Sequence, residues 1–299
     1  MSTTHSFKQL GLIGCGLMGA SFALALQKHG LVDKVIGFSP SQRTRERALQ
    51  LGVIQQAAAS AAEAVQGSDI VLLAVPVSRT AECLQAIASS LSPDCLLMDV
   101  GSTKTDVVQA AIAHLGERLN CFVPAHPIAG KAQAGVDHAE ASLYEDRRAI
   151  LTPLTQTGAT QLQQAQQVWK AIGSHVSMMT PPAHDATFAA VSHVPHLLAF
   201  AAVNALSAQP QGTGFLAMAG PGFRDFSRIA ASDPDVWRDI LSANQAEVLT
   251  QTRHFHAALE QFEKAIQSND LEALRQLIDQ ASQVRSDWAL QTGPAEHED

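Results

Sequence analysis

Two clusters of polar residues directly follow apolar runs in the first half of the chain. Ser102 lies in the segment DVGSTK, which ends the apolar run at 95–100, and His126 opens the segment HPIAG, which follows the run at 121–125. Carboxyl ends of parallel strands meet at one edge of a sheet, so we expect this hydroxyl and this imidazole at the same edge. A neutral imidazole takes up a proton near pH 7, so the pair predicts acid–base chemistry on a small molecule. A purely structural histidine is the alternative interpretation.

The second half of the chain carries two further groups of polar residues. His193 and His196 are three positions apart in the segment SHVPH and therefore share roughly one helix face. No carboxylate or cysteine accompanies them at ligand spacing, so we predict no metal site. Arg224 and Arg228 lie one helical turn apart. One guanidinium can anchor a substrate carboxylate, and Asp225 can neutralise the other.

A glycine-rich segment indicates a phosphate-binding turn. Gly14, Gly16 and Gly19 match the pattern G-x-G-x-x-G between a predicted strand and a predicted helix, which is the context that the pattern requires. The first glycine permits a tight turn, the second lets the backbone approach a pyrophosphate, and the third allows close helix–strand packing. Leu17 and Met18 begin the helix, whose N-terminal N–H groups face the phosphates. This context favours dinucleotide binding over a simple turn.

The end of the second predicted strand indicates which dinucleotide is bound. NAD-binding sheets usually carry Asp or Glu there to hold the ribose 2′-hydroxyl. This chain instead has hydroxyl and guanidinium side chains, namely Ser39, Ser41, Arg43 and Thr44. Such groups bind a 2′-phosphate that a carboxylate would repel, so we predict NADP as the preferred cofactor, with NAD possible. For the neighbouring Arg45 and Arg47, a solvated helix face is an equally suitable interpretation.

The elements that must position these residues follow from hydrophobic periodicity. Apolar runs predict strands at 8–13, 35–38, 69–75, 95–100, 121–125, 149–153 and 175–180. Helical patterns separate them at 17–28, 42–51, 78–90, 104–115 and 158–172. After residue 180 only helices are predicted, at 183–206, 222–231, 234–243, 245–267 and 270–288. Alternating strands and helices predict an α/β fold, with a doubly wound, Rossmann-type parallel sheet domain at 1–180. We expect an all-α substrate and dimerisation domain to follow at 181–290. The last residues, 291–299, are predicted to be a disordered tail. Pro195 predicts a kink within the first helix of the second domain.

Composition excludes several classes of protein. The 299 residues carry a net charge of −8 and 46% hydrophobic residues, and no long Lys/Arg run is present. An acidic chain of this kind argues against nucleic acid or an anionic membrane surface as a partner. The four cysteines lie far apart without C-x-x-C spacing, which predicts unpaired thiols in a reducing compartment. No run of about 18 apolar residues is free of polar interruption, so we predict a cytoplasmic protein without a membrane span.

The motifs together resemble one enzyme family. GLIGCGLMGAS, DVGSTK, HPIAG, SHVPH and GFRDFSRIAASDPDVWRDI occur in this order over residues 8–285, and they are similar to the prephenate/arogenate (cyclohexadienyl) dehydrogenases of tyrosine biosynthesis. The resemblance implies oxidative decarboxylation of a cyclohexadienol, with hydride transfer to the nicotinamide and loss of the ring carboxylate as CO₂. It implies that His126 is the catalytic base and that Ser102 contacts the ring hydroxyl or orients the histidine. It further implies that Arg228 binds a substrate carboxylate and that His196, with Ser192 of the same motif, contacts the substrate. A homodimer made through the helical domain is also implied.

One position departs from part of this family. Some NAD-dependent relatives that use prephenate carry an acidic residue where this chain has Ala132. The difference favours tolerance of arogenate, whose side chain carries an ammonium group.

Two other functions are compatible with parts of the sequence. A β-hydroxyacid dehydrogenase also joins a G-x-G-x-M-G domain to an all-α domain, but its catalytic lysine is missing from the helix at 183–206. A non-catalytic NADP-sensing module would not need His126, Ser102, His196 and Arg228 together.

Overall fold

A computed structural model of the protein describes residues 6–131 and 133–288, and these residues form two compact units. The first unit holds the described residues up to Asp185 together with Arg238–Ala243. The second unit holds Ala186–Trp237 and the described residues from Asn244 onward. Ala132 and the predicted disordered tail at 291–299 lie outside the described residues.

The first unit is built on a parallel sheet, as predicted. Its strands are β1 (Phe7–Ile13), β2 (Val32–Phe38), β3 (Gln56–Ala57), β4 (Ile70–Leu73), β5 (Leu96–Asp99) and β6 (Phe122–Val123). Their order is β3-β2-β1-β4-β5-β6, and every pairing is parallel. Every residue of β4 and β5 is buried, which explains why both strands are apolar in the sequence except at Asp99, the last residue of β5.

Helices cover this sheet. They are α1 (Leu17–Lys28), α2 (Gln42–Gln50), α3 (Ala61–Val65), α4 (Thr80–Ile87), α5 (Thr105–Leu115) and α6 (Ala159–Ala171). A further helix, α7 (Pro181–Phe188), begins in the first unit and ends in the second. The bounds of α1 are those predicted, whereas the short α3 and β3 were missed because neither gives a periodic signal.

The strand register brings the carboxyl ends of the central strands to one edge. Ile13, the last residue of β1, is paired with Phe38 at the end of β2 and with Leu73 at the end of β4. Leu73 is in turn paired with Asp99 at the end of β5. The turns that follow these strands therefore leave the sheet side by side; those after β1 and β2 carry predicted cofactor-binding residues, and the turn after β5 carries Ser102.

A second, smaller sheet was not expected. The predicted strand at 121–125 ends early, because Pro124 has no N–H to donate to a ladder, and the chain continues into a separate strand. That sheet has the order β7-β8-β9, from β7 (Ala125–Pro127), β8 (Arg148–Leu151) and β9 (His175–Met178), with β7 antiparallel and β9 parallel to β8. The runs at 149–153 and 175–180 are strands as predicted, but they belong to this sheet. His126 consequently lies inside a strand rather than in a loop after one.

The second unit is helical, as predicted. Its helices are α8 (Val194–Ser207), α9 (Gly212–Ala217), α10 (Pro221–Ser227), α11 (Pro234–Ala243, divided between the units after Trp237), α12 (Gln245–Gln267) and α13 (Leu271–Asp287). Helix α9 was not predicted from the sequence. The sequence also predicted one continuous helix over 183–206, where the structure has a π-helical turn, Ala189–His193, directly before α8. Pro195 lacks the N–H that a regular helix needs, which accounts for the wider turn.

The helical run Pro181–Ser207 is long and apolar enough to cross a membrane, a test that rests on its length and composition alone. It has 27 residues, and its most apolar 18-residue window has a mean hydropathy of 1.5. A core helix of a globular protein passes the same test, and His184, Asp185 and His193 interrupt the apolar sequence. Only 28% of that window is buried within the single chain.

Candidate active site

The glycine-rich turn has the local geometry that its sequence pattern requires. Gly14 has a φ of +96°, and a Cβ at this position would overlap the carbonyl oxygen of Ala74. Gly19 packs so closely that a Cβ would overlap the carbonyl of Gly14 and lie 2.9 Å from the Leu12 side chain. At Gly16, by contrast, nothing lies within 4 Å of where a Cβ would be. The open space therefore occurs at the one glycine against which a pyrophosphate would pack.

The start of α1 fits the phosphates of a dinucleotide. Gly16 is the N-cap of α1 and provides no side-chain cap, and the first turn contains no acidic residue. The N–H groups of Leu17 and Met18 belong to the first turn of a helix, where no intrahelical acceptor exists. Uncapped N–H groups at the positive end of a helix dipole favour an anion.

The predicted 2′-phosphate residues lie at the start of α2. Ser41 is the N-cap, and its hydroxyl accepts a hydrogen bond from the Thr44 N–H at 3.2 Å. Ser39 is buried directly after β2, and Arg43 is exposed on the first turn of the helix. The structure thus brings together all four predicted residues, with Ser41 and Thr44 also serving to cap the helix.

The neighbouring arginines are engaged within the protein. Arg45 donates to the carbonyl of Ser39 and lies over the Phe38 ring, with its guanidinium carbon 5.8 Å from the ring centre. Arg47 pairs with Asp137 at 2.6 Å. Within the described residues, Arg43 is therefore the arginine of α2 without such a contact.

A buried ion pair joins the turn after β5 to the start of β7. Lys104 is fully buried, and its ammonium group contacts the Asp99 carboxylate and donates to the carbonyl of Ala125 at 2.8 Å. The other oxygen of Asp99 accepts from the Ala125 N–H at 2.9 Å. Both backbone groups of Ala125 are thereby held one residue before His126. Ser102 lies half-buried in the same turn, two residues before Lys104.

We expect Lys104→Met to destabilise the protein strongly. Removing one partner leaves Asp99 as a buried, uncompensated charge, which should lower the free energy of unfolding by about 3–5 kcal/mol. Lys28→Met is a matched control, because Lys28 pairs with Glu145 at 2.7 Å but both side chains are about half exposed, and such a pair contributes about 0–1 kcal/mol. Urea denaturation of both variants measures the difference. Equal losses would show that the buried pair contributes no more than a surface pair.

His126 is linked to two residues that sequence reasoning missed. Its Nδ1 lies 2.8 Å from Nε2 of His184, and Nδ1 of His184 lies 2.8 Å from Oδ1 of Asp185. Both carboxylate oxygens of Asp185 also accept backbone N–H groups at 2.8 Å, from Lys104 and Thr105 at the start of α5. The three side chains form a chain of hydrogen bonds that leads from the N-terminus of α5 to β7.

The charges in this chain of hydrogen bonds follow from its surroundings. Burial lowers the pKa of His184 below its ordinary value, opposed by the hydrogen bond to Asp185. For Asp185, burial raises the pKa, but hydrogen bonds from His184, Thr105 and Lys104 outweigh it and bring the pKa below the ordinary value. A neutral His184 beside an ionised Asp185 is the expected state near pH 7.

The second unit holds the other predicted residues around one tryptophan. His196 stacks on Trp237, with ring centres 3.6 Å apart and ring planes at 20°. Its Nδ1 lies 2.9 Å from the carbonyl oxygen of Ser192, which can only accept. Burial lowers the pKa of His196; the Ser192 carbonyl opposes this shift, and the charge of Arg228 adds to it. Neither the stacking nor the role of Trp237 was predicted from the sequence.

Arg224 and Arg228, the two arginines predicted from the sequence, differ in their contacts. Arg224 pairs with the adjacent Asp225 at 3.1 Å, whereas the Arg228 guanidinium has no ion pair or hydrogen bond to the described residues. Arg228 starts the 3₁₀ turn Arg228–Ala231 and is close enough to His196 to influence its charge. Arg228 is therefore the better candidate for an anion that comes from outside the chain.

The two histidines of the SHVPH motif point to different partners. His193 is buried, and its Nδ1 lies 3.1 Å from the side-chain nitrogen of Asn244.

Among residues 6–131 and 133–288, no group of three or more His, Cys, Asp or Glu side chains has an arrangement suited to a metal ion. The four cysteines form no disulfide; three are buried, and Cys83 is partly exposed.

Family models match both parts of the chain. A model described as the nucleotide-binding domain of prephenate dehydrogenase matches residues 22–178. A model described as the dimerization domain of prephenate dehydrogenase matches residues 180–280.

Individual relatives match over nearly their whole length. The cyclohexadienyl dehydrogenase of Zymomonas mobilis is 32% identical over 281 residues, which are 93% of this chain and 95% of the relative. The crystal structure of prephenate dehydrogenase from A. aeolicus, in complex with hydroxyphenyl propionate and NAD+, has a TM-score of 0.87 and 32% identity, covering 95% of this chain and 99% of that one. The structure of Synechocystis arogenate dehydrogenase has a TM-score of 0.81 and 28% identity, covering 94% and 100%.

Proposed function

The chain belongs to the prephenate dehydrogenase family of NAD(P)-dependent oxidoreductases, and from this premise we propose that it oxidatively decarboxylates prephenate, arogenate or both, preferring NADP. The proposal depends on one observation: His126, the first residue of the HPIAG motif, lies in the same unit as a glycine turn suited to a dinucleotide. The relatives whose names specify prephenate, arogenate or cyclohexadienyl substrates support the substrate class.

The proposed reaction assigns one task to each residue. His126 takes the proton of the ring hydroxyl as the carbinol carbon loses its hydride, and Ser102 orients that hydroxyl or the imidazole. The bound nicotinamide supplies the acceptor for the hydride. Loss of the ring carboxylate as CO₂ leaves its bonding electron pair in the ring, which becomes aromatic, and the phenolate oxygen so formed takes the proton back from His126. Arg228 binds a substrate carboxylate, and His196 with Ser192 contacts the same substrate.

A four-way assay tests this proposal. The protein is mixed with prephenate or arogenate in the presence of NAD or NADP, and formation of the reduced nicotinamide is measured together with release of CO₂. Turnover of either ring substrate with matching CO₂ release supports the proposal. A parallel reaction contains a 3-hydroxy acid instead, and its turnover without CO₂ would support a β-hydroxyacid dehydrogenase, although the helical run at 181–207 contains no lysine.

The expected cofactor preference depends on Arg43 and Ser39. A charge-assisted contact from Arg43 to the 2′-phosphate should contribute about 1.5–3 kcal/mol, which corresponds to a preference of roughly tenfold or more for NADP. Ser39→Asp should reverse or erase this preference, because a carboxylate repels the phosphate and accepts both ribose hydroxyls. The measurement is kcat/KM with each cofactor.

Arg47 provides a matched control for the cofactor prediction. Arg43→Gln should reduce the preference for NADP. Arg47→Gln removes the same charge from the same helix, but its side chain is already paired with Asp137, so this substitution should change the preference less. Equal effects of the two substitutions would indicate a general charge effect instead of a specific contact. A wild-type kcat/KM higher with NAD would contradict the proposal and leave Arg43 as a solvated residue.

The helical unit is proposed to form a homodimer. The family model that matches residues 180–280 is a dimerization domain. Within one chain this unit leaves large apolar side chains exposed on several helices, among them Phe215, Met218, Phe226, Leu271 and Val284. Exposed apolar area of this kind suits a second copy of the chain.

The unpaired cysteines and the biosynthetic role of the relatives support a cytoplasmic location.

A further inference from the structure

The contacts of His126 determine which of its two nitrogens carries the proton. Neutral imidazole has one N–H donor and one lone-pair acceptor, and only the nitrogen with the lone pair can act as a base. The hydrogen-bond partners of a histidine select between these two tautomers. The partner of His126 at Nδ1 is His184, so the protonation state of His184 determines which tautomer His126 adopts.

Asp185 fixes the proton of His184. The Asp185 carboxylate accepts the N–H groups of Lys104 and Thr105, one on each oxygen, so both oxygens act as acceptors. Oδ1 is also 2.8 Å from Nδ1 of His184, which must therefore be the donor in this contact. This assignment places a proton on Nδ1 of His184.

His184 in turn fixes the proton of His126. The His184 side chain is fully buried, and burial lowers its pKa, so the ring holds only the proton already placed on Nδ1. Its Nε2 therefore carries a lone pair and accepts. The atom opposite, Nδ1 of His126 at 2.8 Å, must donate.

We propose that His184 and Asp185 are positioning residues that hold His126 as the Nδ1–H tautomer, with the lone pair on Nε2 directed to catalysis. This inference rests on the proposed function of His126 as the base that takes the substrate proton. When Nε2 takes that proton, the Nδ1–H···His184 hydrogen bond becomes charge-assisted and stronger. Two further charged groups act on His184 with opposite sign: Lys104 lowers its pKa and Asp99 raises it, and the two are joined in a buried ion pair.

The tautomer can be measured without any turnover. The full-length protein with NADP bound is labelled with isotopic nitrogen in its histidines, and the imidazole nitrogen chemical shifts are recorded near pH 7. The signals of His126 are assigned from their loss in His126→Asn. A protonated Nδ1 and an unprotonated Nε2 on His126 are expected. The reverse tautomer, or a doubly protonated His184, would overturn the inference even if the protein proves to be an active dehydrogenase.

Two substitutions at His184 separate positioning from simple packing. His184→Gln retains an amide oxygen that can accept from Nδ1 of His126, whereas His184→Leu retains bulk but removes the acceptor. The Leu variant should lower kcat by about 10–100-fold, the size of the loss when a metal-bound histidine loses the partner that orients its ring, with little change in KM. The Gln variant should recover most of the loss.

The pH dependence of kcat gives a readout that packing alone would not move. An acceptor at Nδ1 stabilises the imidazolium form of His126 and so raises its pKa. Its removal in His184→Leu should shift the acid limb of the kcat profile to lower pH, and His184→Gln should return the limb toward its wild-type position. Equal kcat losses in both variants with unshifted limbs would contradict the proposal. So would a His126 tautomer that stays the same in His184→Leu.

Discussion

Substitution of His126 by asparagine is expected to lower kcat by about 10²–10⁴-fold, which is the usual contribution of a positioned general base. Asparagine can still form a hydrogen bond to the substrate hydroxyl, but it cannot take up the proton. The backbone should not change, because His126 is paired with Ile150 on β8 and is preceded by Ala125, whose N–H and carbonyl are both held. Cofactor affinity should therefore remain at the wild-type value.

A histidine on a neighbouring strand provides the control. His175→Asn makes the same replacement on β9, in the same three-stranded sheet, at a side chain that is one-third exposed and 3.8 Å from an exposed Asp146. It should leave kcat unchanged. Steady-state turnover and NADP titration of both variants test the prediction, and near-normal turnover of His126→Asn would remove this residue from the mechanism.

The parts of the fold that depend on local sequence were predictable. The bounds of α1 and the position of the glycine turn follow from periodicity and from the spacing of Gly14, Gly16 and Gly19. Conformation at these glycines is decided by near neighbours: Gly14 has positive φ, and Gly19 packs on Leu12 of the preceding strand. Local signals of this kind need no knowledge of distant segments.

The parts that depend on distant pairing were not predictable. A run such as CFVPA gives the same signal whether it forms one strand or two, and the partner of β7 lies more than 20 residues further along the chain. The second sheet, and with it the position of His126 inside a strand, is set by that partner. Register and partner choice are properties of the folded sheet, not of the strand's own residues.

The positioning residues His184 and Asp185 were not predicted for the same reason. His184 and Asp185 are 58 and 59 residues beyond His126, in a helical segment where a His-Asp pair has no motif of its own. Their function becomes visible only when α7 begins beside the N-terminus of α5, where Asp185 caps two N–H groups. Trp237 under His196 is similar, since stacking between residues 41 positions apart leaves no periodic signal.

Removal of the Arg228 guanidinium is expected to weaken substrate binding more than it slows chemistry. A carboxylate that is not transformed by the hydride step is bound about equally in the ground state and the transition state, so KM should rise strongly and kcat should change less. The expected loss in kcat/KM for Arg228→Ala is about 2–5 kcal/mol, or roughly 30-fold to several-thousand-fold. Arg228→Lys keeps the charge but not the two-pronged contact, and it should recover only part of this loss.

Arg224→Ala distinguishes this role from a general effect of positive charge on the substrate. Arg224 lies one turn earlier and is already paired with Asp225, so its removal should change KM little. Steady-state kinetics of the three variants with the preferred ring substrate give the comparison. An unchanged KM in Arg228→Ala together with a raised KM in Arg224→Ala would transfer the anchoring role to Arg224. Since Arg228 also opposes protonation of His196, the Ala variant should in addition raise the pKa of that histidine, a shift that Arg224→Ala should not produce.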